Sequence, residues 1–321
     1  MIKKKFIFSN DKDISIRNGN FSKYQDYKIR DIVRDYFDRF FRRPVYFFIY
    51  KNFFKHQNYK IDLTLPAKGF STLERRKELN KISKIENKIM LNIGCGNAYD
   101  YHLWFKFKPK KIVGVDILNY KNSWMKIKKF VNKEKIKTKV EFYKKDFLNF
   151  SYKNKFDFIV CDAVFEHCID FSKVINLCSK LLKKNGILYS SYGPIWFAYG
   201  GDHFSGRDKQ YRGFNHLLLN KRDYQNYFKK NVGTLDYELN EGGGGVFVQN
   251  DLFSKLNGNE YMDIFKKNKF NQIKTYAEFC PIGYSLIKRN KVLKERLLKK
   301  YPFINQENYY LKTHIVYLKK K

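Results

Sequence analysis

The sequence predicts an α/β fold: a doubly wound, mainly parallel sheet of seven strands with an antiparallel last strand, preceded by an N-terminal helical cap. Two observations carry this expectation. From Ile89 onward, short β-rich apolar runs alternate with helical stretches, which is the pattern of parallel strands joined by crossover helices. The chain has 321 residues and is 43% hydrophobic, enough for one buried core with appended segments and too apolar for a largely disordered chain.

Residues 1–75 read as a polar and aromatic cap segment, helical over 31–41 until Pro44 ends or kinks the helix. Residues 76–321 form the main domain. Its first five strands are expected at 89–93, 111–116, 139–143, 156–161 and 186–192. The clearest intervening helix is 171–183, where Val174, Leu177, Cys178, Leu181 and Leu182 recur on one face. An insertion of about 193–262 follows the fifth strand and contains the low-complexity run of glycines at 242–245. Strands at 270–279 and 313–318 flank a helix at 292–300, and no internal repeat is visible.

Sixty-five Lys and Arg against 31 Asp and Glu give a formal charge of +34. Such an excess suits an anionic partner. The lysines, however, are spread along the chain, and Lys, Asn, Ile, Phe and Tyr all have A/T-rich codons, so a biased genome accounts for the charge without one. Nucleic acid is therefore not the favoured partner. The five cysteines form no C-x-x-C pair, which fits a reduced, cytoplasmic protein. The start MIKKKFIFSNDKD lacks the apolar run of a secretory signal. The aromatic stretch 44–54 is too short to span a bilayer. Flanked by Arg42, Arg43 and Lys55, residues 42–55 are suited to peripheral membrane contact or to packing as part of the cap.

Gly94 and Gly96 follow directly on the first strand, where an open α/β sheet binds its ligand. Glycine there lets backbone approach a ligand closely and adopt positive φ. Asp116 follows Gly96 by 20 residues at the end of the second strand, where a carboxylate accepts from both hydroxyls of a ribose. The pair calls for an adenosine-bearing ligand. A dinucleotide fingerprint wants G-x-G-x-x-G, but tyrosine stands at the third glycine, Tyr99.

At this point the chain resembles the class I S-adenosylmethionine-dependent methyltransferases. Asn92-Ile93-Gly94-Cys95-Gly96-Asn97-Ala98 is similar to their first motif, with Asn92 in place of the usual acid and Ala98 in place of the usual glycine. Gly114-Val115-Asp116-Ile117 matches the second motif, Lys145-Asp146-Phe147 the third, the run from Phe156 to His167 the fourth strand and its turn, and Leu181 to Leu188 the entry to the fifth strand. The resemblance covers roughly residues 88–192 in order and spacing. It implies a Rossmann-like fold and S-adenosyl-L-methionine as cofactor, held by Asn92, Gly94, Cys95, Gly96, Asp116, Ile117, Asp146, Phe147 and Asp162. Within that set Asp116 holds the ribose, Ile117 lies against adenine, Asp146 accepts from the adenine amino group, and Asp162 faces the transferring methyl.

Methyl transfer is an in-line displacement that mainly requires alignment, and a hydroxyl acceptor gains from a general base. His203, in the loop Tyr199-Gly200-Gly201-Asp202-His203-Phe204, and His167, after the fourth strand, are the candidates. No metal is expected, because Asp202, His203 and His216 lack a tight ligand motif. The run Cys161-Asp162-Ala163-Val164 stands where methyltransferases of base amines carry Asn/Asp-Pro-Pro-aromatic. The expected acceptor is a hydroxyl of a small molecule or glycan. An RNA methyltransferase using the basic surface, a non-catalytic cofactor-binding protein and, more distantly, a dehydrogenase are the alternatives.

Overall fold

The structure is a computed structural model and describes residues 43–232 and 244–321, with 33, 36, 37, 40 and 41. The expected helix over 31–41 and the start of the glycine run 242–245 lie largely outside the described residues.

Among the described residues the sheet has eight strands rather than seven: β1 Leu63–Pro66, β2 Ile89–Ile93, β3 Lys111–Asp116, β4 Lys139–Lys144, β5 Phe156–Asp162, β6 Leu182–Tyr192, β7 Phe270–Phe279 and β8 Leu311–Lys320. Their order across the sheet is β1-β7-β8-β6-β5-β2-β3-β4. The strand missing from the sequence reading is β1. Its four residues lie in the segment taken as cap, too short for a periodic signal, and pair parallel with β7 from Leu63↔Tyr276 to Pro66↔Phe279. The last strand, β8, runs antiparallel to both β6 and β7. The predicted helix 171–183 ends at Leu181, because Leu182 already belongs to β6.

Alternate side chains of each inner strand enter opposite cores. Leu91, Ile93, Val113, Val115, Ile159 and Cys161 join one, which the helices Phe171–Leu181 and Gly258–Lys267 cover. Met90, Ile112, Phe158 and Val160 join the other, beneath the helices Thr72–Ile82, Tyr101–Phe105 and Lys121–Lys133. The edge strand β4 carries Lys139 and Lys144, charges that discourage pairing with another chain. The helix Gly258–Lys267 starts with an Asn257–Glu260 capping box and packs Phe265 against Phe171 at a 5.4 Å ring separation. It therefore belongs to the sheet layers, and the irregular part of the insertion ends before it.

The aromatic stretch divides. Phe54 is buried and Phe53 stacks on Tyr284 at 4.5 Å, whereas Val45, Phe48 and Ile49 are exposed. Among the described residues no helix is long and apolar enough to cross a membrane.

The lead-in also locks the sheet through His314, which is fully buried in β8 between the Tyr59 hydroxyl at Nε2 and the Tyr192 hydroxyl, 3.0 Å from Nδ1. A neutral imidazole satisfies both, accepting at one nitrogen and donating at the other. Burial pushes its pKa down to about 3. The folded state thus binds fewer protons here than the unfolded state between about pH 6.5 and pH 3, so this stability is complete above pH 6.5 and is lost as pH falls. Urea midpoints should drop between pH 7 and pH 4, and less in His314→Gln, which cannot titrate. An equal drop in both proteins would remove His314 as the cause.

Candidate active site

Strand order reverses between β2 and β5, since β3 and β4 lie on one side of β2 while β5 and β6 lie on the other. A crevice opens at the carboxyl ends of strands at such a point. The turn after β2 occupies it. Gly94 and Gly96 sit at φ +61° and +51°, and Ala98, at the usual third glycine, is also left-handed at φ +57°. Three outside groups fix this turn. The Val115 carbonyl accepts from Gly94 N at 2.8 Å, the Trp124 indole donates to the Gly96 carbonyl at 2.7 Å, and Asp116 Oδ2 accepts from Gly96 N at 2.7 Å.

The two glycines serve different needs. A Cβ on Gly94 would lie 2.2 Å from Val164 Cγ2, so the β2 turn and the β5 turn touch through its missing side chain. A Cβ on Gly96 would meet nothing within 4 Å and would project into open space.

The cleft beside this turn has a volume of about 1090 Å³. Asn92, Gly94, Cys95, Gly96 and Asp162 line it, as the sequence reading expects. The opposite wall comes from the lead-in, residues 68–75, and from the ends of β6, β7 and β8 through Ser191, Glu278 and Thr313. Two arginines come from the helix Thr72–Ile82, Arg75 in this wall and Arg76 buried behind it. Arg75 donates to the Ser191 hydroxyl and, at 3.1 Å, to Thr72 Oγ1, and it lies 3.7 Å from Asp162 Oδ1. Arg76, with no exposed surface, donates to the Asp100 carbonyl at 2.9 Å and to the Asp100 carboxylate, and lies 3.8 Å from Asp162 Oδ2. Tyr189 completes the set by donating to Asp162 Oδ1 at 2.7 Å. Sequence reasoning missed the arginines. The signal was Ser71-Thr72-Leu73-Glu74, an S-x-x-E helix start just ahead of them, and Ser71 Oγ does accept from Glu74 N at 3.3 Å.

The family described as "Methyltransferase domain" matches residues 84–232, the span that holds the glycine turn, β3, β5 and the beginning of the insertion. Residues 84–232 form a methyltransferase domain that uses S-adenosylmethionine. Among solved structures, a proposed sarcosine dimethylglycine methyltransferase from Galdieria sulphuraria is 16% identical over 77% of this chain and 84% of its own, with a TM-score of 0.46. PKMT2 from Rickettsia typhi, in complex with AdoHcy, is 19% identical over 75% of this chain and 51% of its own, with a TM-score of 0.41. A geranyl diphosphate methyltransferase in complex with SAM is 10% identical over 77% and 84%, with a TM-score of 0.46. No curated protein matches the sequence.

The residues of the methyltransferase fit its donor. Gly96 leaves a cradle that a Cβ would fill, and Arg75 offers a guanidinium matched to a carboxylate such as that of the donor's amino-acid end. Asp116 spends one lone pair of each carboxylate oxygen on backbone, Oδ2 on Gly96 and Oδ1 on Leu118 N at 2.9 Å, leaving a second on each. Burial raises its pKa despite those bonds. Asn92 is buried beside the Tyr101 hydroxyl, 3.5 Å from its amide nitrogen, where an amide avoids the cost of a buried ionised carboxylate.

Of the other expected contacts, Asp116 stands behind the turn, bonded to Gly96 N, and does not itself line the cleft, and three lie elsewhere. Phe147 does not face the cleft: its ring is buried in the core with Phe150, because an apolar side chain at that turn gains more from packing. Asp146 is exposed and caps the 3₁₀ turn Phe147–Asn149 by accepting from Leu148 N at 3.0 Å. Ile117 is 43% exposed at the end of β3, outside the cleft lining.

The histidines are also set back from the cleft. The His167 and His203 rings pack at a tilt of 41° with centroids 4.8 Å apart, and neither lines the cavity. Burial lowers His167 to about 4 and His203 well below the usual imidazole value, which makes either a weak base at neutral pH. Asp202 and His216 separate from them. Asp202 accepts from Ser205 N and Oγ at 2.8 Å and from Tyr224, while His216 Nε2 donates to the Trp196 carbonyl at 2.8 Å. Both organise the insertion.

Proposed function

We propose that the methyl acceptor is a hydroxyl of a small molecule or glycan. The observation that carries this reading is the hydrogen-bonding wall of the cleft, where Arg75, Asp162, Ser191, Glu278 and Thr313 gather. Ligand cavities commonly run to about 300–1,000 Å³, so this one has room for the donor and a second small molecule. A polyhydroxylated acceptor satisfies such a wall better than a flat base does.

Bound S-adenosylmethionine supplies an electrophilic methyl group on sulfur. The chain then has to orient the acceptor, exclude water and take up the proton that the hydroxyl loses. Asp162 is tied to Tyr189, Arg75 and Arg76 and acts as an orienting group. Glu278, 8% exposed at the end of β7, has a carboxylate whose pKa burial raises, which improves its match to a proton acceptor. It takes the base role in place of the histidines.

Incubation with tritium-methyl S-adenosylmethionine and cell extract, followed by separation into low-mass, glycan, RNA and protein fractions, tests the acceptor class. Label is expected in the low-mass or glycan fraction, and label confined to RNA would overturn the reading. With the acceptor in hand, Glu278→Gln is expected to lower kcat by about 10²-fold with the donor Kd unchanged. A loss confined to donor Kd would reassign Glu278 to the cofactor.

A further inference from the structure

Behind the cleft, a second set of side chains gathers at the carboxyl ends of β5 and β6. Glu166 and His167 lie in the 3₁₀ turn Phe165–His167 after β5, and His203 reaches them from the insertion. One donor atom from each lies within 4.8 Å of the others, the single such group of three among the described residues.

Two of the three side chains are prepared for a ligand. Glu166 is 1% exposed, and its Oε1 accepts from Gly193 N at 3.1 Å, but its Oε2 has no hydrogen-bond partner. A buried carboxylate oxygen left without a donor is costly and calls for a proton or a cation. His167 Nδ1 lies 2.9 Å from the Leu252 carbonyl. A carbonyl only accepts, so the proton sits on Nδ1 and the lone pair on Nε2, the orientation that a backbone carbonyl gives to metal-bound imidazoles. Phe247, stacked on His167 at 3.9 Å, and Phe253, at 5.4 Å, form an apolar shell that limits water.

We infer that Glu166, His167 and His203 form a binding site for one divalent transition-metal ion. Two imidazoles and one carboxylate suit Zn²⁺, Fe²⁺, Mn²⁺ or Co²⁺, whereas Mg²⁺ and Ca²⁺ prefer oxygen ligands throughout. Ligand bonds of about 2.0–2.2 Å place neighbouring donors about 3 Å apart, so side-chain shifts of under about 2 Å close the set. Three protein ligands leave a position open. Glu166 is bonded to Gly193, which lines the cleft, so the ion sits directly behind the acceptor wall. Set back from the cavity, an ion there would act through Glu166, bracing Gly193 and the acceptor wall rather than touching the acceptor. That role rests on the proposed acceptor, but metal binding itself does not.

The test uses the full chain, stripped with chelator and titrated with Co²⁺ while its visible absorption is followed, with S-adenosylmethionine titrated separately by calorimetry. One Co²⁺ per chain is expected, with affinity at least about tenfold weaker in Glu166→Gln and in His203→Asn at unchanged far-UV circular dichroism. Asparagine is chosen because His203 sits at φ +65°, which asparagine tolerates. No stoichiometric Co²⁺ binding by the wild-type chain overturns the site whether or not the variants fold, and so do unchanged affinities in both variants. Donor binding without Co²⁺ binding defeats the metal site alone, and Co²⁺ binding without donor binding supports it while defeating the donor pocket.

Discussion

Arg76→Leu is expected to destabilise the protein by about 3–5 kcal/mol, the range for removing one partner of a buried ion pair. The guanidinium is fully buried, donates twice to Asp100, lies 3.8 Å from Asp162 Oδ2, and has its carbon 4.2 Å from the centre of the Trp104 ring. Leucine keeps much of the contact with Trp104 but leaves the Asp100 and Asp162 side chains, only 22% and 29% exposed, without this cation. Urea denaturation at pH 7 measures the loss. Arg76→Lys is expected to recover part of it, since lysine restores the charge but not the planar fork that reaches carbonyl and carboxylate together. A change below about 1 kcal/mol in Arg76→Leu would show that the network contributes little net stability.

The second large effect belongs to the glycine turn, where alanine at two neighbouring positions should separate folding from binding. Gly94→Ala puts a Cβ 2.2 Å from Val164 Cγ2 at φ +61°. The left-handed conformation costs about 1–2 kcal/mol and the overpacking about 1–3 kcal/mol, so both the melting temperature and the donor affinity should fall. Gly96→Ala carries a similar conformational cost at φ +51° but meets no neighbouring atom. Its methyl projects into the space that the donor needs, so donor Kd should weaken by about tenfold or more while most of the stability is kept. Calorimetric titration with S-adenosylmethionine, alongside thermal melts, reads both quantities. Equal binding and stability losses in the two variants would mean that the glycines act only on the turn.

Much of the site was legible because its parts are local in sequence. The glycine turn, Asp116 and Asp162 each stand at the end of an apolar run, and the topology of a parallel sheet brings strand ends together. Phe147 misled because a motif gives a residue's position but not the direction of its side chain. Its ring finds Phe150 and the core, while Asp146 beside it caps a turn. The two histidines were found as a pair of candidates. Their separation from the cleft was not visible, since it depends on contacts with the insertion, such as the Leu252 carbonyl on His167.

What the sequence by itself determined was the alternation of strand and helix and the glycine turn, because apolar periodicity and glycine conformation act over a few residues. Only the tertiary structure decided that residues 63–66 join the sheet, that Arg75 lines the far wall with Arg76 buried behind it, and that Glu166 meets two histidines. Those are contacts between distant segments. Arg75 meets Ser191, 116 residues away, and Tyr317 donates to the Arg75 carbonyl across 242 residues. No local propensity encodes such pairings. They follow once the sheet has closed and buried polar groups must find partners among whatever packing brings near.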